Sequence, residues 1–451
     1  MTIAIDGTCL GSVWAGTQAV TLESVKALSE CLENSNASIT VLHSPASTSD
    51  VASIIDGLPN VTRSQVTSFD GDHTPLCDIV YRPYQVNSLA ELRWLRKRGR
   101  RLIVNQLDLI SWSNPSYFGA DQGWLSQRDL TRLTLSAVDG VGFISEFVRT
   151  EVDAERLLPS GTPQRVVYCG TTSTLDAGGV RTTCPRGMPK GDRPFLFVLG
   201  ASYHHKNRLF AIRLLAVLRA RGWDGFLVMA GPTPPRGNSI GDETLASLLD
   251  ASIADHVVTL GDLSENEKAW IYSRAALSVY PTCSEGFGLV PFESARHGVP
   301  VLSSRQGSLD EILPADILTL DSFDVDDAAD KAWVLLHDSA ARSAQSEAIN
   351  EAATHFTWER TARELLALFA ETLESPQNRT AGVWGEGAEP VQIEGHQPNT
   401  EPPTHYKSEL VERQLQRLLE LDRLKRLAAP NGSRRQDAAR RSANWARRQA
   451  R

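Results

Sequence analysis

The sequence contains no run of about 18 apolar residues, the length that a membrane-spanning helix needs. Its opening, MTIAID, also lacks the basic and apolar regions of a signal peptide. Cysteine is scarce, because six residues are scattered along 451 positions with no spacing typical of a metal or redox site. We therefore expect a soluble, cytoplasmic protein whose thiols are reduced and whose length divides into two domains with extra material.

Charge is distributed unevenly along the chain. Residues 406–451 carry 13 Lys and Arg against 5 Asp and Glu, whereas the rest of the chain carries 33 against 49. A basic tail on an acidic body suggests contact with an anionic surface, and a solvated tail without a partner is the alternative. No recognised nucleic-acid-binding module accompanies the basic segments, so we do not expect nucleic acid as a partner.

Short apolar runs alternate with helical patterns through two successive stretches of the chain. The candidate strands are residues 3–6, 39–43, 79–81, 102–105, 141–145 and 165–168, followed by residues 195–199, 226–230, 256–260, 277–280, 299–303 and 317–320. This alternation is typical of parallel sheets with helices on both faces. The predicted fold class is α/β, with two doubly wound Rossmann-like domains, residues 1–185 and 193–355. The linker-like segment 182–192 is expected to join them.

The C-terminal part of the chain changes character. A closing helix is expected over residues 356–374, and residues 375–405, which are too polar to pack, predict a disordered linker. Residues 406–451 form a basic, partly helical tail. Leucines recur at helical spacing in residues 408–427, which predicts either a self-association helix or an isolated surface helix.

The most informative segment is residues 281–300, which read PTCSEGFGLVPFESARHGVP. Glu285 follows a predicted strand, and Glu293 is expected about two turns into the next helix. Gly286 and Gly288 lie between them and would let a ligand approach backbone N–H groups closely. A helix start adds a partial positive charge, so the segment predicts a site for a polyhydroxylated, phosphorylated ligand.

The pattern E-G-F-G-L-x-x-x-E followed by H-G-V-P-V resembles the donor-site signature of the retaining family 4 glycosyltransferases, which have the GT-B fold. Residues 198–200, 205–207, 260–261, 272–275, 308–312 and 356–362 match further family motifs in the expected order. An ordered set of matches is far more specific than a lone glycine motif. The resemblance covers residues 193–373 strongly and residues 1–185 weakly. It implies two domains that face an interdomain cleft.

The resemblance also implies roles for individual residues. The first glutamate of the motif, Glu285, would contact the donor sugar, and the second, Glu293, the ribose hydroxyls, while N–H groups of the turn between them hold sugar and phosphate oxygens. The implied donor-binding residues are Gly16, Lys206, Asn207, Glu285, Gly286, Phe287, Gly288, Leu289 and Glu293. The implied catalytic residues are Lys206, Glu285 and Asp108.

Lys206 occupies the position at which the family keeps a lysine on the donor diphosphate. A fixed cation there would stabilise the charge of the departing phosphate, so we expect no obligatory metal and no cofactor besides the nucleotide sugar. Asp324 and Asp326 form a D-x-D pattern that metal-dependent glycosyltransferases of another fold use. Because this pattern precedes a predicted helix, a helix N-cap is the expected role.

The first domain departs from the family pattern in part. The loop at residues 11–18, which contains Gly11 and Gly16, resembles the family's glycine-containing loop that faces acceptor and donor phosphate, and an ordinary tight turn is the alternative. Residues 82–85, 106–110 and 114–118 lie where the family lines the cleft. Asp108 would position the acceptor or serve as a buried structural carboxylate. Leu107 stands where the family often has histidine, and Ala201 where many members have arginine.

The segment 92–101 is a short basic helix with a basic turn. It predicts either a solvated helix or a peripheral contact with the inner face of an anionic membrane. Taken together, the expected function is transfer of a sugar from a nucleoside diphosphate donor to a glycan or lipid-linked glycan acceptor, with GDP-mannose as the candidate donor. The motif does not distinguish nucleotides or sugars. The alternative is a non-catalytic GT-B nucleotide-binding or scaffold protein acting through its C-terminal tail.

Overall fold

A computed structural model describes residues 1–11, 16–69, 76–118, 123–172 and 182–378. The first half of the chain forms a seven-stranded, all-parallel sheet in the order β3-β2-β1-β4-β5-β6-β7. Its strands are β1 (Thr2–Gly7), β2 (Ser38–His43), β3 (Val61–Gln65), β4 (Cys77–Arg82), β5 (Gly99–Gln106), β6 (Gly140–Phe143) and β7 (Gln164–Val166). The order reverses beside β1, as it does in doubly wound sheets.

The helices of the first half follow its strands. They are α1 (Gly16–Leu32), α2 (Ser49–Asp56), α3 (Leu89–Arg96), α4 (Ile110–Ser113), α5 (Gly123–Ala137) and α6 (Glu146–Ala154). Helices α2, α3 and α6 begin with a Thr or Ser N-cap whose side-chain oxygen accepts a backbone N–H bond from the first turn. Such caps satisfy donors that have no partner inside the helix, which explains why these helices begin where they do.

The second half forms a six-stranded, all-parallel sheet in the order β10-β9-β8-β11-β12-β13. Its strands are β8 (Phe195–Leu199), β9 (Phe226–Ala230), β10 (Val257–Thr259), β11 (Leu277–Tyr280), β12 (Val301–Ser304) and β13 (Thr319–Leu320). Its helices are α7 (Arg208–Ala220), α8 (Ile240–Leu249), α9 (Glu265–Tyr272), α10 (Val290–Arg296), α11 (Leu309–Ile312), α12 (Val325–His337) and α13 (Ser339–Ala353). Each sheet carries a core of nearly inaccessible aliphatic side chains on both faces.

The last described helix, α14 (Trp358–Glu374), packs on the first domain. Its buried residues Leu365, Leu368 and Phe369 join the core of the first sheet, where the Phe369 ring meets the Tyr81 ring edge-on at 5.4 Å. Thr357 caps the helix by accepting a bond from the Arg360 N–H at 3.2 Å. The chain thus returns from the second domain to the first, and the predicted closing helix ties the two halves together.

The predicted linker begins with four described residues. Within them the Asn378 N–H donates to Asp139 at 2.9 Å, the Asn378 side chain donates to the Ser136 carbonyl at 2.8 Å, and Arg101 donates to the Ser375 carbonyl at 2.8 Å. Residues 375–378 are therefore held on the first domain, contrary to the expectation that the linker begins at residue 375. The remainder of the predicted linker and the basic tail, including the helix at 408–427, lie outside the described residues.

The α/β fold with two doubly wound domains is confirmed. Of the observed strands, β3 has no counterpart among the predicted ones, because it is an edge strand with no fully buried side chain and a weak apolar pattern. Within the described part of the chain, no helix is both long and apolar enough to span a membrane.

Candidate functional site

Lys206 and Glu285 form the centre of the candidate site, at the carboxyl ends of β8 and β11. Lys206 ends a short 3-10 turn (His204–Lys206), and its Nζ lies 2.6 Å from Glu285 Oε1 and 3.3 Å from the Tyr280 hydroxyl. Burial raises the pKa of Glu285, but the Lys206 charge and hydrogen bonds from Lys206 and Tyr280 outweigh it, so the pKa lies below its usual value. The Glu285 carboxylate is therefore charged at neutral pH.

Both glycines of the turn after Glu285 pack closely against other residues of the protein. A Cβ at Gly286 would lie 1.8 Å from the Leu107 carbonyl oxygen, so the first domain occupies the space that a side chain would fill. Gly288 has a φ of +98°, which disfavours other residues, and a Cβ there would lie 2.6 Å from the Leu309 side chain. The sequence analysis explained these glycines by the close approach of a ligand, but the packing of the protein around them already requires glycine at both positions.

A second turn supports the glycine turn from behind. The Ser308 hydroxyl donates to the Glu285 carbonyl at 3.1 Å and lies 2.7 Å from the Phe287 carbonyl. A Cβ at Gly307 would lie 2.7 Å from the Glu285 carbonyl oxygen, so the two turns pack backbone to backbone. The Glu285 carboxylate is thus fixed by its own backbone as well as by Lys206.

The other residues of the motif differ in what they contact. Phe287 is buried and packs among Tyr168, Phe292 and Phe356, so its side chain serves the core and only its backbone can face a ligand. Leu289 immediately precedes α10, where it occupies the N-cap position.

Glu293 lies in the first turn of α10, which corrects the expected position about two turns into the helix. Helix α10 begins only at Val290, because the residues from Glu285 to Leu289 form the turn. The Tyr272 hydroxyl donates to Glu293 Oε2 at 3.3 Å, and the Lys268 ammonium lies 3.5 Å from Glu293 Oε1. The carboxylate is held in place yet partly exposed, as a ligand contact requires.

Asp108 faces this centre from the first domain. Its Oδ1 accepts the Ile110 N–H at 2.9 Å, and its backbone carbonyl accepts bonds from Gln106 at 2.7 Å and Gln85 at 3.3 Å. Burial, and then the charge of Glu285, raise the pKa of Asp108 above its usual value. The structure thus brings Asp108 into electrostatic contact with the pair, and its carboxylate also organises the local backbone.

Two further predicted residues occupy element boundaries. Asn207 has a left-handed backbone with a φ of 49° and separates the 3-10 turn from α7. Gly16 is the first residue of α1 and is exposed, while most of the loop before it, residues 12–15, lies outside the described residues. Arg82, predicted to line the cleft, is instead fully buried beneath the first domain's strand ends.

Two contacts across the cleft escaped the sequence analysis. Glu311 of the second domain accepts the N–H groups of Glu146 and Phe147, at 2.8 and 2.9 Å, at the start of α6 in the first domain. The Tyr117 hydroxyl of the first domain is hydrogen-bonded to His205 Nδ1 of the second. Glu311 and His205 lie in segments that match family motifs, and Tyr117 lies in a predicted cleft-lining segment. The local sequence nevertheless gives no signal for partners more than 80 residues away.

The D-x-D pattern serves as a helix cap. Asp324 Oδ1 accepts the N–H groups of Asp326 and Asp327 at 2.9 and 3.0 Å, which confirms the predicted N-cap of α12. Across the described residues, no group of three or more His, Cys, Asp and Glu side chains is placed to hold a metal ion.

The basic segment around α3 uses much of its charge within the protein. Arg96 pairs with buried Asp139, Arg98 is buried and lies over the Trp94 ring at 5.3 Å, and Arg101 donates to the Thr372 carbonyl at 2.9 Å. These arginines have structural roles, which weakens the argument for a membrane contact through this helix. The contact itself stays a prediction.

Comparison with known proteins agrees with this geometry. Residues 185–355 match the family described as Glycosyl transferases group 1. The D-inositol 3-phosphate glycosyltransferase of Mycolicibacterium smegmatis is 29% identical over 242 residues, and that of Arthrobacter sp. is 28% identical over 310 residues. The alignments cover 51% and 66% of this chain, and 54% and 70% of those proteins. The chain thus matches only about half the length of the first relative.

Solved structures show the same architecture over a longer span. Sucrose-phosphate synthase from Thermosynechococcus elongatus superposes with a TM-score of 0.60 at 17% identity, over 82% of this chain and 98% of that one. The fold is therefore GT-B, with two Rossmann-like domains. Lys206, Glu285 and Glu293 lie within residues 185–355, the segment that matches the Glycosyl transferases group 1 family.

Proposed function

We propose that the protein is a retaining glycosyltransferase that moves a hexose from a nucleoside diphosphate to a hydroxyl of a glycan or lipid-linked glycan. The observation that carries this proposal is the Lys206–Glu285 pair, 2.6 Å apart and mostly buried, with Asp108 opposite it. A buried lysine beside a carboxylate and a glycine turn suits a ligand that combines phosphate and sugar hydroxyls.

Lys206 would act on the leaving group. The glycosidic bond breaks as negative charge grows on the diphosphate, and a preorganised ammonium stabilises that charge more in the transition state than in the ground state. Lys206 is held by Glu285 and Tyr280, so its position requires little reorganisation when the donor binds. Glu285 would accept hydrogen bonds from the donor sugar. Attack on the same face of the sugar, assisted by the departing phosphate, would retain its configuration.

No metal ion is required by this proposal. Lys206 supplies the cationic charge, and the N–H groups around the start of α10 supply further donors. Of the two aspartates in the D-x-D pattern, Asp324 caps α12, and the Asp326 carboxylate lies 3.4 Å from the Arg221 guanidinium.

The donor is proposed to be a nucleotide hexose, with GDP-mannose as the first candidate. The test is incubation of the full chain with a panel of GDP-, UDP-, ADP- and dTDP-sugars, each with and without EDTA, while release of nucleoside diphosphate is measured. We expect one donor to be hydrolysed and the rate to be unchanged by EDTA. Binding of a nucleotide sugar without any turnover would favour the non-catalytic alternative, which the residues Leu107 and Ala201 motivate. Loss of turnover in EDTA, restored by magnesium or manganese, would contradict the metal-free mechanism.

The proposal predicts a specific role for Glu293. Replacing Glu293 by Ala should weaken donor binding about 10- to 100-fold, since a hydrogen bond to a charged group contributes roughly 1.5–3 kcal/mol. Calorimetry with the nucleoside diphosphate measures the change. Glu359→Ala, which removes an exposed glutamate from α14, is the matched control and should leave the affinity unchanged. Equal affinities in both variants would argue against a ribose contact at Glu293.

A further inference from the structure

A cavity of about 360 Å³ opens beside the candidate site, between the two domains. The first domain contributes Ile110, Ser113, Asn114 and Glu151 to its lining, and the second contributes His205 and Ser284. Ser284 directly precedes Glu285, and the Ile110 N–H is bonded to the Asp108 carboxylate. The cavity therefore adjoins the point at which the sugar would be transferred, and a molecule in it would lie next to the donor sugar.

The lining contains few ionisable side chains. Among its described residues Glu151 is the only carboxylate, Lys and Arg are absent, and the basic side chains are the imidazoles of His204 and His205. Burial and the neighbouring charges of Asp108 and Glu155 raise the pKa of Glu151. The Lys206 ammonium, which lies 2.6 Å from Glu285, is assigned to the donor diphosphate in the proposed function and is not part of the lining.

Of the two histidines in the lining, His205 adds no positive charge. Burial, followed by the charge of Lys206, lowers the pKa of His205 to about 4, so the ring is neutral at pH 7. One of its nitrogens is also occupied, because Nδ1 is hydrogen-bonded to the Tyr117 hydroxyl. Ser113, Asn114 and Ser284 also line the cavity and supply neutral donors and acceptors of the kind that match hydroxyls.

By sequence, the internal segments outside the described residues contain few cations: residues 12–15, 70–75 and 119–122 contain neither Lys nor Arg, and residues 173–181 contain only Arg181. The C-terminal segment outside the described residues, 379–451, contains 14 Lys and Arg. A phosphorylated acceptor carries a charge of about −1.5 to −2 near neutral pH and needs cationic partners. Placing it beside Glu151 and Asp108 would bring like charges together, which lowers the affinity for the phosphorylated acceptor.

We infer that this cavity binds the acceptor and selects an uncharged polyol or sugar, rejecting a phosphate on the part of the acceptor that enters it. The inference rests on the proposed transferase function and adds the acceptor class to it. Glu151 is a specificity-determining residue in this assignment. Its carboxylate accepts hydrogen bonds from hydroxyls and repels anions.

The test uses matched acceptors with the donor identified above. Acceleration of donor turnover is measured with mannose and mannose 6-phosphate, glucose and glucose 6-phosphate, and myo-inositol and its 3-phosphate. We expect at least one uncharged acceptor to accelerate turnover, and its phosphorylated counterpart to be at least about tenfold poorer in kcat/KM. A phosphorylated member that equals or exceeds its uncharged counterpart would overturn the inference, and so would a lack of acceleration by every uncharged acceptor.

Two variants separate charge from shape. Glu151→Arg should raise the kcat/KM ratio of phosphorylated to uncharged acceptor at least about tenfold, and Glu151→Gln should change it in the same direction by less. The matched control is Asp153→Arg, the same charge change on an exposed position of the same helix, and it should leave the ratio unchanged. An identical ratio in Glu151→Arg and Asp153→Arg would contradict the role of Glu151. Donor hydrolysis without acceptor is measured in parallel. If the parent protein hydrolyses no donor, the proposed function is contradicted. If it hydrolyses a donor but prefers phosphorylated acceptors, only this inference is contradicted.

Discussion

Glu285→Gln and Lys206→Met should each lower the rate of glycosyl transfer by about 100-fold or more, the loss that accompanies removal of one preorganised charge-stabilising group. In the first variant the ammonium loses its ionic partner, and the donor sugar meets an amide in place of a carboxylate. In the second, the diphosphate leaves without a cation beside it. The measurement is kcat with the true donor at saturating concentration.

The controls separate chemistry from folding. Lys97→Met removes an exposed lysine at the end of α3 and should retain full activity. Thermal unfolding of each variant should show an intact protein, and the double variant Lys206→Met with Glu285→Gln removes both charges together, so it avoids an uncompensated buried charge. Near-normal turnover in both single variants would show that the site has been assigned to the wrong residues.

The pair also predicts a change in pH dependence. With Lys206 present the pKa of Glu285 lies below its usual value, so the carboxylate stays charged as the pH falls through the mildly acidic range. In Lys206→Met the burial effect is unopposed by that charge and should raise the pKa of Glu285. The residual activity of this variant should therefore decline at a higher pH than that of the parent, as the pH is lowered.

Arg82→Met is expected to destabilise the protein by about 3–5 kcal/mol, because it leaves a buried carboxylate without its partner. Arg82 Nη1 lies 2.5 Å from Asp6 Oδ2, both side chains are almost inaccessible, and Arg82 Nη2 also donates to Glu91 at 3.0 Å. The guanidinium stacks on the Tyr84 ring at 3.7 Å. Arg82 therefore links the ends of β1 and β4 to α3, beneath the loops that face the cleft.

The chain offers a matched control for this prediction. Arg63 and Asp56 form an ion pair of 2.6 Å in the same domain, but their side chains are 28% and 55% exposed. Arg63→Met should cost at most about 1 kcal/mol, since exposed pairs contribute little. Urea unfolding of the full chain, followed by tryptophan fluorescence, compares the two variants. Similar losses of stability would contradict the view that burial decides the contribution of the Arg82 pair.

Much of the fold could be predicted because parallel strands buried on both faces have a strong local signature. Residues such as those of β8 and β9 are continuous apolar runs, and the predicted and observed bounds of these strands agree. The same reasoning fails for β3, whose residues are exposed or half-buried and form no apolar run. It also fails at residues 375–378, where the Gln377 and Asn378 side chains donate to backbone carbonyls of the first domain and the Asn378 N–H donates to the Asp139 carboxylate. A polar segment packs when residues distant in the sequence satisfy its hydrogen bonds, and the composition of the segment does not reveal which residues those are.

The amino-acid sequence by itself determined the strand–helix alternation, the motif from Glu285 to Glu293 and the N-cap at Asp324, since each depends on residues within a few turns of one another. The tertiary structure alone decided that Lys206 reaches Glu285 across 79 positions and that Gly286 is required by the Leu107 carbonyl. It also decided that Glu151 lines a cavity beside the site. These contacts arise where the ends of strands from two sheets converge, so they depend on topology and on the closing helix α14, which local periodicity does not encode.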